Sequence, residues 1–334
     1  MSLSRTVLRL VPLVPFMFAA APAFAADEAP KSGSSLAIPV GDAKLGLILQ
    51  AWGYDDTTAP VTHTNFRMRR AEIKLGGNLN ESLRWYVMFD PAKNLSATGD
   101  NKVLQDLVAG YALAPGLELL AGQMKIPTTA EGFETSAELL FPERTYVARN
   151  YGDRREDGVM LAWKESIYRV NAMVSNGQKG SVDDTNDRKD LSLRADVLPT
   201  DRMKFGAFTT AVDSSYGLRS RFGANARFRF DELLVKGEGV IARDSGIGSH
   251  GWAVDAGYTL AEKFQPAARW ESFDSAGLGS HAATIGLNYY ALNHRSKIQA
   301  AYTVLRDMIG ASGTYMPAAG SRGSLFILCF QTSL

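Results

Sequence analysis

Apolar and polar residues alternate one by one along most of this chain, the period-two signature of half-buried strands and not the 3.6-residue period of helices. In RRAEIKLGG, residues 69–77, Ala71, Ile73 and Leu75 fall on one face while Arg70, Glu72 and Lys74 fall on the other. Leu83, Trp85, Val87 and Phe89 oppose Arg84 and Tyr86 in the same way. Further on, Trp252, Val254, Ala256, Tyr258 and Leu260 oppose Asp255 and Thr259, and Ile285, Leu287 and Tyr289 oppose Asn288 and Tyr290. The sharpest case is LRSRFGANARFRF, residues 218–230, with Arg219, Arg221, Arg227 and Arg229 on one side and Phe222, Phe228 and Phe230 on the other.

The pattern predicts 16 strands, at 43–54, 64–77, 83–92, 103–113, 117–126, 158–163, 167–175, 190–198, 204–212, 218–230, 233–243, 251–260, 264–273, 282–291, 296–306 and 323–334. Connectors after even-numbered segments are mostly short and turn-like, whereas several after odd-numbered ones are long, the third running over residues 127–157. Strands with one apolar and one hydrophilic face, an even count and one rim of tight turns describe an antiparallel transmembrane β-barrel. A soluble β-sandwich would bury its apolar faces and give loop lengths unrelated to strand parity. Lipid offers no hydrogen-bond partner, so such a sheet must close, and its inner face is then free to be wet. Barrels of about 16 strands enclose an aqueous channel instead of being filled by side chains.

The N-terminus carries Arg5 and Arg9, then an apolar run broken by Pro12, Pro15 and Pro22, then Ala23-Phe24-Ala25 before Ala26. That order reads as a secretory signal peptide over residues 1–25. A polar lead-in follows at 26–42, and the barrel domain spans 43–334. Beyond Ala26 no apolar run reaches the roughly 20 residues that a membrane helix needs.

Charge and chemistry narrow the function classes. Lys+Arg total 36 against 35 Asp+Glu, a formal net charge of +1, which gives a nucleic-acid partner no basic surplus to bind. A single cysteine, Cys329, cannot build an intramolecular disulfide, a four-cysteine zinc site or a CxxC pair. The histidines His63, His250, His281 and His294 fall in connectors of this reading, without the i,i+4 spacing of a metal-binding helix, and no GxSxG motif is present. No catalytic residue, metal or cofactor is expected, and the chain does not read as an enzyme.

Two constellations remain. The third connector mixes Glu131, Glu134, Glu138 and Glu143 with Arg144, Arg149, Arg154 and Arg155, and loops of this length tend to be functional. Its apolar Leu139, Leu140 and Phe141 would otherwise meet water, so the segment is expected to fold toward the lumen and narrow it. The second constellation is the inward bases: parity adds Arg70, Lys74, Arg84, Lys125, Arg169, Arg194 and Arg269 to the four arginines of 218–230. Positive charge lining a narrow aqueous passage concentrates anions. The alternative is pairing with carboxylates such as Asp90, Asp106, Asp196, Glu238 and Glu271, which leaves no net field.

The stretches FRMRRAEIKLGGNL, LRWYVMFDPA, LELLAGQMKIP, ETSAELLFPER, RREDGVMLAW and GLNYYALNHRSKIQAAYTVLRD occur in that order and resemble the phosphate-selective porin O and P family. The resemblance implies a 16-stranded, homotrimeric barrel in a Gram-negative outer membrane, with anions passing through an arginine-lined lumen. It would set Lys125 on the lumenal wall and Glu143-Arg144 in the long third extracellular loop. Two features depart from the family: the fifth loop, where its selectivity lysines stand, is here DSSYG at 213–217, and the chain ends in Leu334 where a terminal aromatic is usual. The resulting expectation is an outer-membrane porin, surrounded by lipid, for passive diffusion of small hydrophilic solutes with a preference for anions, phosphate-type anions included. A non-selective diffusion porin and a barrel acting as a loop-based receptor or structural protein are the alternatives.

Overall fold

Each alternating segment forms a strand. The computed structural model describes residues 43–334 except 58–63, 94–102, 179, 185–186, 215–216, 245, 276–277 and 309–320; the signal-peptide and lead-in expectations lie outside the described residues, as does His63. The strands are β1 (Lys44–Asp56), β2 (Thr64–Asn78), β3 (Leu83–Phe89), β4 (Leu104–Ala114), β5 (Leu117–Lys125), β6 (Arg155–Lys164), β7 (Tyr168–Ser175) and β8 (Asp190–Thr200). They continue as β9 (Met203–Ser214), β10 (Gly217–Phe230), β11 (Leu233–Asp244), β12 (Ile247–Tyr258), β13 (Phe264–Ser275), β14 (Leu278–Leu292), β15 (Ser296–Met308) and β16 (Ser321–Ser333). All neighbours pair antiparallel, and β1 pairs with β16 from Ile48↔Ser333 to Asp56↔Leu325, so the sheet is a closed barrel. Closure leaves no unpaired edge, the condition for crossing lipid with strands.

Parity sorts the side chains as the alternation requires. Phe222, Phe230, Trp252, Val254, Trp270, Ile285 and Leu287 are exposed on the outside. Asp255, Arg269 and Asn288, on the opposite faces of the same strands, are buried within the barrel. One irregularity changes the inner surface: Gln50 faces Arg70 but Ala51 faces Met68, so β2 carries an extra residue at Arg69. A β-bulge of this kind resets the alternation. Arg67 and Arg69 therefore face the interior together with Arg70, Glu72 and Lys74, while Phe66 and Met68 face out.

The two rims differ. On one, turns such as Pro115-Gly116 and Asp231-Glu232 connect adjacent strands; Gly116 (φ 76°) and Asp231 (φ 48°) take the left-handed conformations that tight turns need. On the other, residues 126–154 form the longest connector, holding α1 (Ala130–Phe133), a 3₁₀ turn (Ser136–Glu138) and α2 (Tyr146–Tyr151). Strands β9 and β10 extend into the expected fifth loop and leave only residues 215–216 between them. His250 and His281 likewise lie within β12 and β14, not in connectors, because these strands start earlier than the alternation suggested.

The interior is not hydrophilic throughout. Leu325, Ile327 and Cys329 of β16 point inward and pack with Trp52, Ala282, Leu305 and Tyr146. Phe208, Val240, Ala242 and Phe273 form a second apolar group with Val147 and Tyr151 of α2. These positions are apolar because the third connector covers them, so they meet protein instead of water.

Candidate functional site: a lumen divided by the third connector

The connector is sewn to the barrel wall by its own backbone. The Leu139 carbonyl accepts from Lys297 Nζ (2.8 Å), the Leu140 carbonyl from Asn288 Nδ2 (2.9 Å) and the Ala137 carbonyl from Gln331 Nε2 (3.1 Å). On the adjoining β13 the Tyr146 N–H donates to Glu271 Oε2 (2.6 Å), and from β8, farther round the barrel, Arg194 donates to the Thr128 carbonyl. Inward polar groups of β8 and β13 to β16 thus replace the water that an irregular segment would otherwise need. The apolar residues have seats as well. Leu140 and Phe141 pack with Ala267 and Ala301, over Gly257 and Gly286, where an added Cβ would lie 3.1 Å from Leu140 and 3.0 Å from Phe141.

Buried ion pairs fix the connector's charged residues. Glu143 accepts from Arg69 Nη2 (2.6 Å) and lies 3.3 Å from Arg70 Nη2. Glu131 meets Lys236 Nζ (2.8 Å) and Arg269 Nη2 (2.9 Å), and Arg269 also binds Asp255 (2.7 Å). Asp153 pairs with Arg149 at 2.9 Å. Burial alone would raise these carboxyls. The neighbouring cations outweigh it: Arg269 and Lys236 bring Glu131 below the usual carboxylate range, Arg69, Arg149 and Arg70 hold Glu143 well below it, and Arg144 and Lys125 do the same for Asp153.

Among the described residues, two cavities flank the connector. The larger, about 1010 Å³, runs along β1 to β5, from Gly46, Lys74 and Leu334 near the short-turn rim to Lys93, Leu104 and Gly180 near the long-loop rim. Its lining includes Arg67, Arg69, Arg70 and Lys74 from β2, then Lys93 and Lys125. Arg144, Arg149 and Arg154 of the connector and Arg155 of β6 complete ten cationic side chains, against three acidic ones, Glu72, Asp106 and Asp153. The smaller cavity, about 290 Å³, lies on the other side of Phe133–Thr135, against β7 to β12, and is lined by equal numbers of acids and bases.

The candidate residues therefore separate into groups. Arg70, Lys74, Lys125, Arg144, Arg149, Arg154 and Arg155 line the larger cavity. Lys74 Nζ stands 4.2 Å above the Tyr86 ring, Lys125 Nζ donates to the carbonyls of Gly132 and Glu134, and Arg155 pairs with Asp106 at 2.7 Å. Glu143 is buried beside this cavity under Arg69 and Arg70. Arg169, Arg194 and Arg227 line the smaller cavity, Arg194 being bound to Asp196 at 2.6 Å. Arg84 pairs with Glu118 at 2.6 Å.

Of the β10 ladder, Arg221 pairs with Asp244 at 2.9 Å and lies over the Tyr151 ring. Among the described residues Arg219, Arg227 and Arg229 have no carboxylate within 4 Å, yet none of the four lines the larger cavity. Arg269 lines neither cavity: held by Asp255 and Glu131 and covered by Phe141, it tethers the connector and offers no charge to a solute. The parity reading missed Arg67 and Arg69, which only the β2 bulge turns inward, and Lys93, which sits in a connector.

Solved structures share this architecture at low sequence identity. The anion-selective porin from Comamonas acidovorans matches with a TM-score of 0.65 at 11% identity, over 88% of this chain and 99% of that one. The outer membrane channel DcaP of Acinetobacter baumannii gives 0.62 at 13%, over 88% and 97%. The trimer form of OmpT from Vibrio cholerae gives 0.62 at 11%, over 88% and 100%. No curated protein sequence gives a significant match. A closed 16-stranded barrel with an internal third connector agrees with the sequence match over residues 50–231, more than half of the chain, to the family described as phosphate-selective porin O and P, and the chain belongs to that family.

Proposed function

We propose that this porin conducts small hydrophilic solutes passively along the larger cavity, with a preference for anions, as a homotrimer in the outer membrane. The observation that carries the reading is the lining of that cavity, ten cationic against three acidic side chains over a path that reaches toward both rims. A water-filled passage with low-dielectric walls focuses such a surplus onto the solute and raises the local anion concentration. The work is done by standing charge and steric narrowing and needs no catalytic group. The fifth connector, residues 215–216, carries no lysine, so selectivity rests on the wall and the third connector, and phosphate is one anion among several. Export by a signal peptide at residues 1–25 fits the low-charge apolar run there, and the trimer form of Vibrio cholerae OmpT supports the oligomeric state.

Reversal potential in a KCl gradient across a planar bilayer tests the reading. Replacing Arg67, Lys74 and Arg154 together with Gln is expected to lower the anion-to-cation permeability ratio by a factor of about three. Replacing Arg219, Arg221, Arg227 and Arg229 is expected to change it less. The opposite ranking would move the passage to the β10 wall, and an ion-tight barrel would favour the receptor or structural role.

A further inference from the structure

The smaller cavity is not a second copy of the anion passage. Its charges of both signs are partly left over after pairing. Lys236 is taken up by Glu131 and Asp255, and Arg194 by Asp196. Among the described residues, Arg169 of β7 and Arg227 of β10 have no carboxylate within 4 Å, and Glu138, at the end of the 3₁₀ turn, has no cation within that distance. Glu134, also on the connector, is only loosely held, 3.8 Å from Lys236. A further acceptor, Glu238 Oε2, is buried with no hydrogen-bond partner among the described residues. All five of these side chains line the cavity, and Phe133 and Leu198 add apolar surface. Barrel-wall cations without a carboxylate among the described residues thus share the same 290 Å³ space with connector acids that are unpaired (Glu138) or loosely paired (Glu134).

A monovalent anion entering this space satisfies the arginines and meets the glutamates unfavourably; a monovalent cation does the reverse. Only a solute carrying both charges meets both sets favourably, since a single charge of either sign is repelled by one of them at short range. We propose that the smaller cavity is a binding niche for a small zwitterion with an apolar body, of amino-acid or dipeptide size, its carboxylate toward Arg169 and Arg227 and its ammonium toward Glu134 and Glu138. Leu198, Lys204 and Arg169 lie close to the tight turns, so the niche opens toward the short-turn rim. Phe133 and Thr135 line both cavities, which puts a bound solute beside the main passage. The inference requires the lumen to be wet but is independent of the anion preference.

The test compares L-leucine with N-acetyl-L-leucine, which keeps only the carboxylate, and L-leucinamide, which keeps only the ammonium, by saturation-transfer NMR on the full protein in detergent at pH 7. L-leucine is expected to bind about fivefold tighter than either analogue. Glu138→Gln should reduce L-leucine to the level of N-acetyl-L-leucine, and Arg169→Gln to the level of L-leucinamide. Both side chains are exposed and unpaired among the described residues, so the barrel should keep its heat-dependent gel migration, which is checked for each variant. Equal binding of L-leucine and either analogue, absence of L-leucine binding, or unchanged affinity in either variant overturns the proposal. Loss of anion preference in reversal-potential measurements would overturn the reading of the larger cavity and leave this one standing.

Discussion

At the scale of single residues, one extra residue decides how much charge the passage receives. Arg70 and Lys74 face inward by simple alternation, and both are legible in the sequence. Arg67 and Arg69 have the wrong parity for that reading; the bulge at Arg69 turns them inward, and no local signal in MRRAE marks it because the partner strand sets the register. The cost is like charge on adjacent residues, and Glu143 offsets it by binding both Arg69 and Arg70. Lys93 shows the same dependence on surroundings. Burial, reinforced by the nearby Arg155, lowers its ammonium to about 8. A lowered pKa on a base means the charge is present at pH 7 and is lost as the pH rises through about 8. Anion preference should therefore decline between pH 7 and 9, and Lys93→Gln should flatten that decline; reversal potentials measured across the range check both.

At the scale of elements, the third connector is an irregular segment stabilised as if it were core. The sequence signal was the apolar Leu139, Leu140 and Phe141, which made an aqueous loop costly. The seats were not legible, because a glycine within a strand, such as Gly257 or Gly286, does not announce what will pack on it. Phe141 is 3% exposed and also covers Arg269. Phe141→Ala should remove about 3–5 kcal/mol of packing at this anchor. The barrel ladder is untouched, so the expected outcome is a preserved heat-modifiable barrel whose single-channel conductance is larger and noisier. Conductance indistinguishable from the parent would mean that the backbone hydrogen bonds to Lys297, Asn288 and Gln331 hold the segment alone.

At the scale of the whole molecule, the surplus of cations along β1 to β6 and the balance along β7 to β12 make the lumen asymmetric although the chain's net charge is only +1. Composition therefore understates the field that a solute meets. Screening shortens from about 10 Å at 0.1 M salt to about 3 Å at 1 M, so anion preference should fall steeply across that range while total conductance rises; a preference independent of salt would point to contact selection at a single site. The sequence by itself determined the strand count, the two faces of nearly every strand and the rim asymmetry, because a membrane strand must alternate and its period is two. The register with which β1 meets β16, the inward turn of Arg67 and Arg69, the apolar inner face of β16 beneath Tyr146, and the division of arginines between a passage, a niche and structural tethers such as Arg269 were decided by the tertiary structure alone. Each depends on which distant residue stands opposite, and alternation along one strand carries no record of its partners.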